Sequence, residues 1–421
     1  MLSRLYIGCL LLVFNNSLHA AMSTSPAVNS INLKTAINNT FEHNPELRSF
    51  DHVIKAQAGR QLQQSLAASP ELNFSLENVA GTGALQGTAN AQASLGISWV
   101  IEGDIRQAYI DESKADSLSL ITAQAIRRLD AAADTAHLYL RCMAHQARSI
   151  NTAKTVALAS DSLLAVEKRV SAGKAPAAEL ARAKAELSRR QLQQEDVQHE
   201  LSSAIRLLAA QWGQSNPQFS RVEGDIFSLP ATVSLEQLKA RIEQSPAFLR
   251  LLSEQRLTQA QLTLAKSKAA SPWRLNLGVR HIEASGDQAL LAAISMPFGE
   301  RSRNTGGIIE AQQNVAHIQS KAQALRLRFE TLLYVLSQEL EHSLHRFTTY
   351  RDDIIPQLEK ALKQTRRAYT LGRYSYLEWN SVQSELLAAR SALLEAGIDA
   401  HFKTIEIERL SGVQAAQTAD K

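Results

Sequence analysis

Two pairs of side chains stand at a spacing that could chelate a metal. Cys142 and His145 are three residues apart, as are His342 and His345. Residues at i and i+3 share a helix face, and thiolate with imidazole suits zinc or copper. A structural site closes on four ligands, and Glu341 beside His342 spoils the match between the pairs, so no metal site is assigned and ordinary helix residues are the plainer reading. A second constellation is acidic. Glu179 and Glu378 each follow a glycine, Gly173 and Gly372, by six residues. In a tube built of several copies they would form acidic rings that favour cations. A glutamate in a first helical turn is also favoured simply by the helix dipole. Nothing resembles a catalytic set: there is no Gly-rich phosphate loop, no nucleophile elbow and no HExxH. The chain is read as no enzyme, with no cofactor.

These residues lie on very long helices. No proline occurs from Glu71 to Ala175. Leu118, Ile121, Ala125, Leu129, Ala132, Ala136, Tyr139 and Met143 step by three or four, as do Leu325, Phe329, Leu332, Leu336, Leu340, Leu344 and Phe347. A helix from Asp104 to Val170 would be roughly 100 Å long, which coiled-coil packing needs and a compact domain does not. Pro356 should bend the second long helix near its far end. The turns around Gly173 and Gly372 end these helices, since glycine accepts a positive φ, and Pro176 suits the first turn of the next helix.

Other segments alternate. In Glu71–Glu77 every second residue is apolar. Ala91, Ala93, Leu95, Ile97 and Trp99 repeat the pattern, as do Trp273, Leu275, Leu277 and Val279, and, less strictly, Leu290, Ala292, Ile294, Met296 and Phe298. A period of two marks strands, and each run is near the ~9–11 residues that a tilted strand needs to cross a bilayer. Soluble hairpins with one wet face are the alternative.

The chain is written twice. Asn44-Pro45 and Ser245-Pro246, Ser69-Pro70 and Ser271-Pro272, Ile97-Ser98 and Ile294-Ser295, Gly173 and Gly372, Glu186-Leu187 and Glu385-Leu386, and Gly213 and Gly412 recur in one order, about 200 residues apart. Each copy reads as an amphipathic helix (about Leu33 to Ala68; about Leu235 to Ala270), two strands, a long helix, a Gly turn and a second helix. The expected organisation is a signal peptide over 1–20, a first repeat over 21–212, a linker over 213–233, a second repeat over 234–412 and a tail over 413–421.

The start resembles an export signal: Arg4, the apolar run Leu5 to Phe14, and Leu18-His19-Ala20 as cleavage site. Removal would leave Cys142 as the single cysteine, so no internal disulfide is possible. No later run reaches the ~18 apolar residues of a membrane helix, so any span must be β. The net charge of +4 is scattered, which excludes a nucleic-acid stripe. Four strands cannot close a barrel, and open edges are not tolerated in lipid. The chain must therefore oligomerise. A barrel continued by a long helical tube on the periplasmic side is a conduit.

Several short motifs now acquire a context. Glu102-Gly103-Asp104-Ile105-Arg106 and Arg303-Asn304-Thr305-Gly306 follow the two hairpins. Arg169-Val170-Ser171-Ala172-Gly173-Lys174-Ala175-Pro176 and Tyr369-Thr370-Leu371-Gly372-Arg373 form the two turns. In order and spacing the chain resembles the TolC-like outer-membrane efflux channels, and within them the CzcC-like cation efflux branch. The resemblance implies a mainly α fold with transmembrane β: a long antiparallel α-helical coiled-coil barrel, plus four β-strands per protomer in a trimeric twelve-stranded outer-membrane barrel, with internal duplication. It implies a homotrimer in outer-membrane lipid, a periplasmic adaptor and an inner-membrane pump of the resistance–nodulation–division type. Gly173, Lys174, Ala175, Pro176, Leu371, Gly372 and Arg373 would form the periplasmic tip that docks the adaptor. Glu179, Tyr369 and Glu378 would stand at the pore entrance, Tyr369 resembling a gate tyrosine. Arg373 and Tyr374 stand one place off from the family's usual arginine. Metal cations are the implied cargo; drugs or secreted peptides are the alternative, and a periplasmic coiled-coil scaffold is the reading from a different class.

Overall fold

The computed structural model describes residues 30–270, 272–297 and 304–412. The export signal, the 413–421 tail, Ser271, Phe298 and Arg303 lie outside the described residues. The first half runs β1 (Ser30–Ile31), α1 (Leu33–His43), α2 (Pro45–Ser65), β2 (Glu71–Glu77), β3 (Gln92–Ile101), α3 (Asp104–Ser171) and α4 (Ala177–Ala210). The second runs β4 (Arg221–Val222), α5 (Leu235–Arg241), α6 (Pro246–Ser267), β5 (Trp273–Ile282), β6 (Asp287–Ser295), α7 (Thr305–Thr349), α8 (Ile355–Thr370) and α9 (Tyr376–Ser411).

Each half opens on two helices, where the periodicity suggested one. The break falls at Asn44-Pro45 and again at Ser245-Pro246, the prolines standing at the starts of α2 and α6. Proline has no N–H to continue a helix and pushes the preceding residue into extended backbone. Asn44 and Ser245 are accordingly extended, and their side chains accept from the first free backbone N–H groups of the new helices.

Helix α3 runs unbroken for 68 residues, roughly 100 Å. Its buried positions are mostly small: Ala132, Ala133, Ala136, Ala144 and Ala159. Small side chains let neighbouring helices approach closely, and two hydroxyl pairs bridge α3 to its neighbours. Thr40 Oγ1 lies 2.9 Å from Thr135 Oγ1, and Thr122 Oγ1 lies 3.0 Å from Ser253 Oγ. The second long helix is interrupted. A π turn over Tyr350–Ile354 separates α7, of 45 residues, from α8. Pro356 lies just beyond it. Its ring would clash with the Asp352 carbonyl in a regular helix, and the wider turn relieves that clash.

Equivalent joints recur in the two halves. Gly213 ends α4 at φ 76° and sits against the Pro45 ring; Gly412 ends α9 at φ 76° and sits against the Pro246 ring. A Cβ on Gly412 would come within 2.7 Å of Pro246 Cδ, whereas one on Gly213 would meet Pro45 at 3.7 Å. Gly412→Ala is therefore expected to lower unfolding stability by about 1–3 kcal/mol. Gly213→Ala, with the strained φ alone, should cost less. Thermal denaturation of the two variants measures the difference.

The segment read as a linker is firmly packed. Its β4 pairs parallel with β1. The Tyr139 hydroxyl is shared between the carbonyls of Ile31 and Glu223, at 3.0 and 2.6 Å. The Gln146 amide donates to the Val222 carbonyl and accepts from its N–H, as a neighbouring strand would. Tyr139, Cys142, Leu208, Trp212 and Val222 form one core here. Leu140, Ile226, Leu394 and Ile398 tie α3 to α9. Leu238, Leu333, Leu336 and Leu410 tie α5, α7 and α9.

Candidate channel wall and periplasmic tip

Strands β2, β3, β5 and β6 form one antiparallel sheet in that order. Its register aligns the apolar residues into rows. Phe74 faces Leu95, which faces Val279, which faces Leu290. Leu72, Ile97, Leu277 and Ala292 form the next row, and Trp99, Leu275 and Ile294 another. Because side chains alternate, all of these share one face. That face is open: Phe74 is 69% and Leu290 87% exposed. A contiguous apolar face of this kind marks a surface built for an apolar medium. The opposite face is polar. Arg280 donates to Ser94 Oγ at 2.9 Å and Gln92 Oε1 at 3.1 Å, with Glu77 at 3.6 Å. Arg274 donates to Glu71 at 2.8 Å, and Asn73 to Ser98 at 3.1 Å. The direction of the alternation was legible in the sequence; the arginine network was not, because its members come from three strands. Strands β2 and β6 each have one neighbour in this sheet, which leaves two open edges.

At the far end the two hairpins meet. In the first turn Gly173, at φ 68°, closes α3 through a bond from Lys174 N to Arg169 O of 2.8 Å. In the second, Gly372, at φ 77°, closes α8 through Arg373 N to Ala368 O at 2.9 Å. Both are the six-to-one closure that needs a left-handed residue. Pro176 is the cap before α4, one place ahead of the first helical turn expected for it. At the equivalent place Ser375 caps α9 in a reciprocal box with Glu378.

The turns are bound together by side chains from both halves of the chain. The Arg169 guanidinium donates to the Tyr369 carbonyl and, at 3.0 Å, to the Lys174 carbonyl, and it lies 4.5 Å over the Tyr369 ring. The Tyr369 hydroxyl donates to Glu179 Oε2 at 3.1 Å, and Tyr376 N donates to Glu179 Oε1 at 3.4 Å. Tyr369, Tyr376 and Trp379 are buried on Val166 and Ala183. Burial and then the charge of Glu179 push the Tyr369 phenol up to about 12. Its proton is therefore held more tightly in the folded tip than in an unfolded chain. The resulting stability is intact below the ordinary phenol value of 10.0 and is lost as pH rises to about 12. Thermal stability should fall across that window, and Tyr369→Phe should flatten the response.

Glu179 and Glu378 occupy matching places in the repeats but different surroundings. Glu179 is half-buried between the hairpins. Glu378 is exposed and accepts from Ser375 N at 2.7 Å and Ser375 Oγ at 3.0 Å. The Ser375 bonds hold its carboxyl below the usual range. Leu371 and Leu377 are 60% and 59% exposed, so the second turn presents two large apolar side chains beside its basic Arg373, where the first carries Lys174, Ala175 and Pro176. The turn motif alone gives Arg169 no role. An arginine one turn before a helix-ending glycine was the signal available for it.

The chelation candidates do not converge. Cys142 is fully buried in the Trp212 core, and burial raises its thiol to about 12. His145 faces Glu200 at 3.2 Å, with burial lowering its pKa. His342 and His345 are exposed on α7. Among the described residues no three His, Cys, Asp or Glu side chains are grouped to hold a metal. Among them, too, no helix is long and apolar enough to cross a membrane.

An apolar-faced sheet with open edges, continued by helices of this length and closed at the far end by paired hairpins, is the fold of the TolC-like outer-membrane channels. Among solved structures the chain is similar to CusC, at 18% identity and TM-score 0.72, covering 90% of this chain and 91% of that one. It is similar to the outer-membrane protein VceC of Vibrio cholerae, at 15% identity and TM-score 0.74, covering 90% and 96%. It is similar to the open state of the Neisseria gonorrhoeae outer-membrane channel MtrE, at 13% identity and TM-score 0.70, covering 90% and 88%. No family model matches the chain. In sequence it is 24% identical over 388 residues, 92% of this chain and 91% of the relative, to the cobalt-zinc-cadmium resistance protein CzcC of Cupriavidus metallidurans. The chain is thus TolC-like in fold and CzcC-like in sequence.

Proposed function

We propose that this chain is the exit duct of a tripartite efflux system and carries heavy-metal cations out through the outer membrane. The observation that carries the duct is the open-edged sheet with its apolar face outward, at the head of a helix of roughly 100 Å. Lipid does not tolerate the edges of β2 and β6, and three copies joined edge to edge supply a twelve-stranded barrel. The helices then continue the wall as a coiled-coil tube. The cargo rests on the likeness to CzcC, whose name records cobalt, zinc and cadmium. The relatives are channels, and the chain works without catalysis of its own; an inner-membrane pump of the resistance–nodulation–division type supplies the energy.

A periplasmic adaptor docks on the tip formed by Gly173, Lys174, Ala175, Pro176, Leu371, Gly372 and Arg373, whose exposed leucine at 371 offers an apolar contact. The Arg169–Tyr369–Glu179 set holds the hairpins together until the adaptor separates them, and Glu378 presents a negative charge beside the entrance. Glu378→Gln should reduce cation over anion selectivity in a planar bilayer without changing assembly.

The test has two arms. The purified protein should have a trimer's mass in detergent and conduct in discrete steps; a water-soluble monomer that never conducts would sink the duct in favour of a scaffold. Deletion of the gene should lower growth on zinc, cobalt or cadmium. Loss of drug tolerance with metal tolerance intact would move the cargo to drugs.

A further inference from the structure

Two tryptophans fix a plane at the foot of the sheet. Trp99 and Trp273 lie on its apolar face at the end from which α3 departs and at which α6 arrives. They are 36% and 50% exposed. Tryptophan on a lipid-facing surface concentrates at headgroup level. In the same plane a groove of about 580 Å³ opens between the foot of the sheet and the start of α3 and end of α6. Its apolar lip is Ile101 and Trp273, which face each other in the register and belong to the lipid-facing side. Its floor is polar: Lys266 and Ser267 on one wall, Glu102 and Asp104 on the other. Among the described residues Lys266 forms no ion pair with Glu102 or Asp104. The groove lies under β3 and β5, the two central strands. It is therefore away from the edges that neighbouring copies must occupy.

We propose that this groove binds the headgroup of a phosphatidylethanolamine-type lipid from the periplasmic leaflet. The inference rests on the sheet standing in the outer membrane. The zwitterion matches both walls: its phosphate accepts from Lys266 and the Ser267 hydroxyl, and its ammonium donates to Glu102 and Asp104. The acyl chains leave past Ile101 and Trp273 along the apolar face. Phosphatidylglycerol has no cation for the carboxylates. Phosphatidylcholine has a cation with no N–H to donate. The lipid would anchor the junction of barrel and tube at a fixed depth.

The experiment is lipid retention by the full-length mature protein. It is reconstituted in nanodiscs containing equal amounts of phosphatidylethanolamine, phosphatidylglycerol and phosphatidylcholine, extracted in mild detergent, and weighed by native mass spectrometry. Phosphatidylethanolamine is expected to be retained several-fold over the other two. Lys266→Glu should abolish that preference. The double variant Glu102→Gln, Asp104→Asn keeps the lysine and loses the carboxylates, and should shift retention toward phosphatidylglycerol, a change of sign that misfolding cannot produce. Equal retention of the three lipids by the wild type overturns the proposal, and so does an unchanged preference in both variants. A protein that never enters the nanodisc overturns the membrane reading and this inference together. Entry without lipid preference overturns the inference alone.

Discussion

Leu277→Arg is expected to keep the protein out of the membrane. Leu277 lies at the centre of β5, between Ile97 and Ala292, on the apolar face, and is 46% exposed. A charge at the middle of a lipid-facing strand costs about 2–4 kcal/mol per copy, and the proposed trimer would carry it three times. The sum is comparable with the roughly 5–15 kcal/mol by which proteins are stable, so the barrel should fail to assemble. The neighbouring substitution Asn276→Arg places the same charge one residue away on the polar face, opposite Ser98 and Ala293. It should insert normally and reduce the preference for cations. Flotation of outer-membrane fractions, with heat-modifiable mobility on gels, separates the cases. Equal insertion of both variants would show that the apolar face does not meet lipid.

The second large effect is expected at the tip. Arg169→Ala removes two hydrogen bonds from a charged donor and one contact over an aromatic ring. A bond to a charged group contributes about 1.5–3 kcal/mol, and every 1.4 kcal/mol or so is tenfold in an equilibrium. The equilibrium between joined and separated hairpins should therefore move at least tenfold toward separation. It should be read as higher single-channel conductance and as faster tryptic cleavage at Lys174 and Arg373. Lysine should not restore the wild type, because it lacks the fork that reaches two carbonyls at once. Tyr369→Phe deletes only the bond to Glu179 and should produce a smaller change, in keeping with about 1 kcal/mol for a single hydrogen bond. Wild-type conductance and proteolysis in Arg169→Ala would remove the arginine from any gating role.

The strand prediction rests on an alternation that local spacing shows, whereas the tip prediction concerns contacts that it does not reveal. Glu179 and Glu378 look interchangeable, each six residues after its glycine. In the fold one receives the hydroxyl of Tyr369, which arrives from the other repeat, and the other closes a box with Ser375 three residues before it. Cys142 and His145 share a helix face on paper. The fold commits the cysteine to a core with Trp212 and the histidine to Glu200 on α4. The breaks at Pro45 and Pro246 had a local signal, and the apolar periodicity on either side masked it. The period survives a change of axis that the missing N–H enforces.

What the sequence determined by itself was the type and order of the main elements, which depend on neighbours a few residues away. A period of two made strands, and a proline-free period near 3.6 made a long helix. A glycine able to take positive φ ended each arm. What only the tertiary structure decided was which of these residues meet. The packing of the middle segment against Tyr139 and Gln146, the arginine network across three strands and the Arg169 clamp each join residues tens to hundreds of positions apart. Such contacts are set by how elements pack in space, and spacing along the chain carries no record of them.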